Sequence, residues 1–415
     1  MNERKNDPEP SANARPVERR GFFKKAGLAA AGCMLQGSLP AQQGPAGNSS
    51  KAKPVPHPPS GTALANMAQV NGFTAGDPLA TRGFSKSKQL TSNALNPLPM
   101  VNTGADQIPQ KPLGKTGANV SIIGIGGSTL GQAVSYAVAE RIVHEAIDAG
   151  VTFMDNAWEY NQGKSEDWMG KALQGRRDKV FLMSKVCTHG RKSDVAMTML
   201  EDSLRRLKTD HLDLWQIHEV IYYNDPDLHF QKGGAVEALL KAKDQGKVRF
   251  IGFTGHKNPA IHLRMLELAD QQDVKFDTVQ MPLNCFDATY RSFEQQVLPE
   301  LAKRGMAGLG MKSLGGNGEA IIQGAVTVQE ALRYAMSLPV ATTISGIDSL
   351  EILRQNLAVA RNFKPYSSEE MQALRMRCAG IASDGHLELY KTTKKYDAEV
   401  GRQQHGYPDK KEMPM

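Results

Sequence analysis

The sequence predicts an α/β fold, a TIM-type (β/α)8 barrel, and three observations predict it. From about residue 120 onward, short runs rich in β-forming residues alternate with helical stretches. The alternation occurs eight times, and each unit takes about 30 residues, the size of a βα module. The glycine fingerprint of the competing doubly wound sheet is broken: in Gly124-Ile125-Gly126-Gly127-Ser128-Thr129 the third glycine is replaced by Thr129, and Gly308-Leu309-Gly310-Met311-Lys312-Ser313 fails in the same way. Eight βα units in one chain are expected to close into a barrel.

Strands are expected over 121–125, 152–156, 180–186, 212–218, 249–254, 278–283, 307–313 and 342–347. The helices between and after them are expected over 139–149, 165–173, 195–207, 236–245, 261–269, 293–304, 327–337 and 349–360. Ahead of the first strand, Lys111-Pro112-Leu113-Gly114-Lys115-Thr116-Gly117 reads as a hairpin closing the bottom of the barrel. The barrel then occupies 109–365, and 366–415 is a C-terminal extension with a helix and a substrate-loop tail.

The first hundred residues read differently. A polar start leads to Arg19-Arg20-Gly21-Phe22-Phe23-Lys24-Lys25 and a short apolar stretch over 26–35. A basic segment before a short apolar one is the pattern of a signal peptide, too short to span a membrane stably. The arginine pair followed by Phe22-Phe23-Lys24 resembles the twin-arginine export signal of bacteria. That resemblance implies the twin-arginine translocase as a transient partner and a periplasmic location. Leu39-Pro40-Ala41 offers a cleavage site, which gives a signal peptide over 1–41. Ala30-Ala31-Gly32-Cys33 is also similar to a lipoprotein box, with Ala30 where Leu is usual, so a membrane tether follows only if Cys33 is lipidated. Residues 42–108 are rich in Pro, Gly, Ser, Asn and Ala without apolar periodicity, and are expected to be a disordered linker or an extended wrap over the barrel.

Composition narrows the function. Hydrophobic residues make up 40% and charged residues 22% of the 415, enough for a globular core. The net charge of +7 comes partly from the leader and the lysine-rich tail, and elsewhere bases are mixed with acids. No nucleic-acid partner is expected. The four cysteines, Cys33, Cys187, Cys285 and Cys378, form no C-x-x-C pair. Cys187 and His189 have no third ligand near them in sequence, so no metal is expected.

In such a barrel chemistry sits at the C-terminal ends of the strands. The second strand ends in Asp155-Asn156 and leads to Tyr160, the third ends in Lys185, and the fourth in His218. Together these suit carbonyl reduction, which needs a hydride on carbon and a proton on oxygen. A phenol ionises near pH 10 in water, too high for an efficient proton donor at neutral pH (about 10 for Tyr). A neighbouring ammonium favours the phenolate, a carboxylate holds that ammonium, and an imidazole can orient the carbonyl.

Phe153-Met154-Asp155-Asn156-Ala157-Trp158-Glu159-Tyr160, Ser184-Lys185 and Leu214-Trp215-Gln216-Ile217-His218 resemble the tetrad segments of the aldo-keto reductase family. The resemblance implies Tyr160 as general acid/base, Lys185 as its tuner, Asp155 as the partner of Lys185, and His218 on the substrate oxygen. It also implies a nicotinamide site. Gln280 and Asn284 match the motif of the sixth strand, and Thr254 stands where many members carry Ser, with Gly255 replacing Asn. Met311 takes the place of a frequent Tyr against the nicotinamide. Lys312, Ser313, Leu314, Gly315 and Gly316, with Ser345 and Gly346, would receive the phosphates. Arg354 is the nearest base for a 2′-phosphate and Asn356 is expected at the adenine. NADP(H) is the implied cofactor, with NAD as the alternative.

The implied function is an exported NAD(P)(H)-dependent oxidoreductase acting on small carbonyl substrates or the corresponding alcohols. The alternative is a sensor or accessory protein that holds the cofactor with little turnover. The substrate segment is expected over 219–233, with Tyr222, Tyr223 and Phe230, and over 384–396.

Overall fold

The computed structural model describes residues 97–413 apart from 102, 105 and 188–191. The expected leader over 1–41, with Arg19, Arg20 and Cys33, lies outside the described residues, as do His189 and the expected linker up to residue 96. An antiparallel hairpin, Gln110–Pro112 with Asn119–Ser121, comes first. Eight strands follow: β1 (Ile123–Gly126), β2 (Phe153–Asp155), β3 (Phe181–Val186), β4 (Leu212–Ile217), β5 (Val248–Thr254), β6 (Thr278–Pro282), β7 (Ala307–Met311) and β8 (Val340–Gly346). All neighbours pair in parallel, and β8 pairs with both β7 and β1, so the sheet is a closed barrel.

Eight helices wrap the barrel: α1 (Tyr136–Asp148), α2 (Lys164–Ala172), α3 (Ser193–Leu207), α4 (Ala235–Asp244), α5 (Pro259–Gln271), α6 (Leu298–Arg304), α7 (Val328–Ser337) and α8 (Leu350–Arg361). Their starts are set by local chemistry. Ser135 caps α1 by accepting from the Val138 amide, Asn258 caps α5 with Pro259 at its first turn, and Thr327 and Glu330 form a reciprocal capping box at α7. A further helix, α9 (Ser368–Ala382), carries the same box from Ser367 and Glu370. It docks through Arg375, which reaches Glu294 at 2.5 Å and the Tyr334 hydroxyl at 2.8 Å.

The core has two compartments. The larger lies between strands and helices. The smaller fills the barrel, where Phe153, Phe181, Met183, Leu214, Leu309 and Ile344 pack together with Leu113 and Val120 of the hairpin. Phe181 stacks between Phe153 and Phe250, with centroids 5.5 and 6.1 Å away. The hairpin therefore plugs the bottom of the barrel, as its sequence suggested. Packing also starts earlier than the barrel boundary read from sequence, because Ile108 is fully buried. Phe230, expected near the substrate, turns into the core against Phe276.

Candidate active site

Three consecutive strands deliver the acid, the phenol, the amine and the imidazole to one rim. β2 ends at Asp155, and the close approach of β1 there depends on Gly127, where a Cβ would lie 2.6 Å from the Asp155 carbonyl oxygen. The chain then turns sharply after Tyr160. Asn161, Gln162 and Gly163 have φ of 53°, 59° and 87°. Such conformations cost non-glycine residues about 1–3 kcal/mol each and persist only where surrounding contacts hold them. Here Asn161 Nδ2 donates to the Ser128 carbonyl and to Ser165 Oγ, both at 2.8 Å.

Lys185, on β3, is buried and spends its three donors on three oxygens. It pairs with the Asp155 carboxylate, donates to the Asn156 carbonyl at 2.7 Å, and reaches the Tyr160 hydroxyl at 3.3 Å. The other Asp155 oxygen accepts from Gln280 Nε2 at 3.2 Å. His218 follows β4, with Nε2 3.4 Å from the Tyr160 hydroxyl and its ring edge-on to the phenol. Its Nδ1 lies in close contact with the Glu159 carboxylate. The Tyr160 hydroxyl thus has an ammonium on one side and an imidazole on the other, which is the arrangement that proton delivery to a carbonyl oxygen needs.

The neighbouring strand ends suit a carboxamide. Gln280 Oε1 and Thr254 Oγ1 are buried and have no hydrogen-bond partner among the described residues. Buried polar atoms are nearly always paired, and these two, on adjacent strand ends, are open to a group from outside the chain. A nicotinamide amide, with both a donor and an acceptor, fits them. Gly315 and Gly316 both have positive φ and form the turn after β7 with Ser313 and the half-buried Leu314. Met311 ends β7, half-buried, with Lys312 beside its sulfur. Ser345 is buried at the end of β8 and accepts from Asn356 at 3.0 Å, and Gly346 closes that strand. Arg354 does not stand free: it forks onto Glu145 of α1 at 2.6 and 2.9 Å. Asn284 gives its amide to the Lys312 carbonyl, Glu388 and the Tyr390 hydroxyl.

The C-terminal tail is the part sequence reasoning placed only loosely. Lys391 is buried on Asp287 at 2.6 Å, Glu388 at 2.8 Å and the Tyr290 carbonyl at 2.7 Å. Asp397 holds Lys257 at 2.5 Å and accepts from the Tyr222 hydroxyl at 3.1 Å. So pinned, the tail lays Tyr390 and Tyr396 against the glycine turn: a Cβ on Gly316 would meet the Tyr390 ring at 3.3 Å and the Tyr396 hydroxyl at 3.4 Å. The Lys312 ammonium lies 5.5 and 5.3 Å from the same two ring centres, in cation–π range. His256 faces both rings edge-on, and burial, helped by the charges of Lys312 and Lys257, keeps it neutral. Glu159 was also missed, although its place next to Tyr160 was a usable signal.

Residues 122–318 match the model of the Aldo/keto reductase family. Over that stretch the barrel is similar to members of that family. Aldo-keto reductase YhdN of Bacillus subtilis is 30% identical over 200 residues, which are 44% of this chain and 55% of YhdN. The uncharacterized oxidoreductase YqkF of the same organism is 25% identical over 308 residues, covering 64% of this chain and 95% of YqkF. Among solved structures, the aldo/keto reductase of Klebsiella pneumoniae in complex with NADP and acetate has a TM-score of 0.54 at 24% identity, over 66% of this chain and 96% of that one. This last likeness carries the fold. Within the barrel, Asp155, Tyr160, Lys185 and His218, read together from the sequence, fall on the rim where the strands end.

Proposed function

We propose that the chain is an NADP(H)-dependent oxidoreductase that reduces aldehydes or ketones, or oxidises the corresponding alcohols, with Tyr160 as the general acid/base. One observation carries the reading: Lys185 and His218 converge on the Tyr160 hydroxyl at 3.3 and 3.4 Å, with Asp155 behind Lys185. When bound, the reduced nicotinamide supplies the hydride. The chain's own residues do the rest. Gln280 and Thr254 would hold the carboxamide, the 313–316 turn and Ser345-Gly346 would receive the phosphates, and His218 would orient the carbonyl oxygen. Tyr160 delivers its proton to that oxygen, and the Lys185 ammonium stabilises the phenolate left behind. The convergence of two groups on the Tyr160 hydroxyl, with Asp155 behind one of them, favours catalysis over a cofactor-holding sensor. NADP(H) rather than NAD is supported by the Klebsiella protein, whose structure holds NADP.

Tyr160→Phe tests the reading. Removing the proton donor should lower turnover of an aromatic aldehyde by about 10²–10⁴-fold, the usual worth of general acid catalysis, with the Kd for NADPH unchanged. A variant that keeps more than about a tenth of wild-type turnover would refute the assignment.

We further infer that the protein is exported, because Arg19-Arg20 precedes Phe22-Phe23-Lys24 and a short apolar stretch. Replacing both arginines by Lys should leave the protein in the cytoplasm. Export of the double variant at wild-type yield would remove the twin-arginine route.

A further inference from the structure

The segment that carries Tyr160 leaves β2 at Asp155 and enters α2 at Lys164. Within it, Trp158 is tied from two directions. Its amide donates to the Lys185 carbonyl of β3 at 3.2 Å. Its carbonyl accepts from Arg206 Nη1 of α3 at 2.8 Å. The same guanidinium lies 5.2 Å from the Trp158 ring centre, in cation–π range. It also closes on Gly163, where a Cβ would come within 2.6 Å of Arg206 Cζ. Trp158 precedes Tyr160 in the chain and Gly163 follows it. Arg206 therefore grips both ends of the turn that holds the left-handed residues Asn161, Gln162 and Gly163.

The grip is itself anchored. Arg206 Nη1 also donates to Glu166 Oε2 of α2 at 3.2 Å, and Glu166 Oε1 accepts from the Ser184 hydroxyl at 2.5 Å. The Glu166 side chain is fully buried and that of Arg206 is 17% exposed. Burial pushes the Glu166 carboxyl up, and the Ser184 hydroxyl and the guanidinium work against that rise. Ser184 is the neighbour of Lys185 on β3. The contacts from Trp158 through Arg206 and Glu166 to Ser184 thus connect the loop of the phenol to the strand of the ammonium. Left-handed backbone at non-glycine residues persists only where surrounding contacts impose it. Loosening Arg206 lets the turn relax, and the phenol moves with the turn.

We propose that Arg206 is a positioning residue for Tyr160: by clamping Trp158 and Gly163 to Glu166 it fixes the distance between the phenol and the Lys185 ammonium, and so the ease with which the phenol gives up its proton. The inference rests on the reductase reading above. Arg206 exchanges no proton in this role. It acts through the 3.3 Å contact between Lys185 Nζ and the Tyr160 hydroxyl.

The experiment compares the full chain with Arg206→Lys in 4-nitrobenzaldehyde reduction by NADPH across pH, alongside Tyr160→Phe. Lysine keeps a positive charge for Glu166 but lacks the planar fork that reaches the Trp158 carbonyl and packs on its ring. The variant should lose about tenfold or more in kcat, since a misplacement of about 1 Å can cost about 10²-fold. The aldehyde KM and the NADPH Kd should stay within about twofold. The alkaline fall of kcat, where the phenol has lost the proton it must donate, should move up by about one pH unit, because a phenol farther from an ammonium holds its proton more tightly. An alkaline fall at the wild-type pH overturns the proposal, whether or not kcat drops. A merely structural role lowers the amount of active enzyme without moving the pH at which it titrates. If that result comes with an inactive Tyr160→Phe, only this inference fails; if Tyr160→Phe is active, the reductase reading fails and takes this inference with it. Should Arg206→Lys not fold, Arg206→Met combined with Glu166→Gln leaves no unpaired charge buried, and the same shift or its absence decides.

Discussion

At the scale of single residues, two buried atoms say most about what is meant to bind. Thr254 Oγ1 and Gln280 Oε1 are both unpartnered among the described residues. A hydroxyl that bonds to nothing contributes nothing to folding and costs its desolvation. Thr254→Val preserves the β-branched shape at the end of β5 while removing that hydroxyl. The cofactor-free variant should melt at or above the wild-type temperature. Its Kd for NADPH should rise about fivefold, the equivalent of one net hydrogen bond of about 1 kcal/mol. Calorimetry and fluorescence titration measure the two halves. A destabilised variant with unchanged affinity would mean that Thr254 is structural.

At the scale of elements, the tail is the unusual piece. Its anchor is Lys391, whose ammonium is buried between Asp287 and Glu388. Removing one partner of a buried ion pair costs about 3–5 kcal/mol, because it leaves uncompensated charge behind. Asp287 keeps other partners, Ser292 and the amides of Phe293 and Glu294, so the damage should stay local. Lys391→Met should free the segment after residue 384 while the barrel remains folded. Because Tyr390 and Tyr396 rest on the glycine turn after β7, its release should also speed NADPH dissociation, as opening a lid does. Limited proteolysis and stopped-flow fluorescence check the two effects together. A protease-resistant tail with an unchanged off-rate would show that Lys391 does not anchor it.

For the whole molecule, stability should depend on pH through the plug under the barrel. Lys111, on the hairpin, is buried and donates to the Met336 carbonyl of α7 at 2.6 Å. Burial lowers its amine from 10.5 to about 7. Between those values the folded chain carries the neutral amine and the unfolded chain the protonated one. Unfolding therefore takes up a proton, and the folded state gains stability as pH rises through that window. Below about pH 7 the amine is charged in both states and this gain is gone. Lys111→Met has no such dependence. The wild-type Tm minus the variant Tm should increase from pH 7 to pH 10, and a flat difference would show that Lys111 titrates normally.

The barrel was legible in the sequence because its signals are local. Each strand-and-helix unit carries its own alternation, and the helix starts carry their own caps, as at Ser135 and Thr327. The tetrad was legible for the same reason. Asp155 to Tyr160 is one turn of chain, and Lys185 and His218 each end a strand, so closing the barrel brings them together without further information. What only the tertiary structure decided depends on residues far apart in the chain. Asn284 meets Tyr390 across 106 positions, and Asp287 meets Lys391 across 104. Those contacts put a C-terminal tail over the turn expected to receive phosphate and give the Asn284 amide to that tail, and a separate pairing across 209 positions holds Arg354 on Glu145. Nothing in local periodicity encodes such pairings. They follow from how charges and rings from separate segments cancel or stack once the barrel has closed, and from a turn at Asn161-Gln162-Gly163 that sets Glu159 against His218.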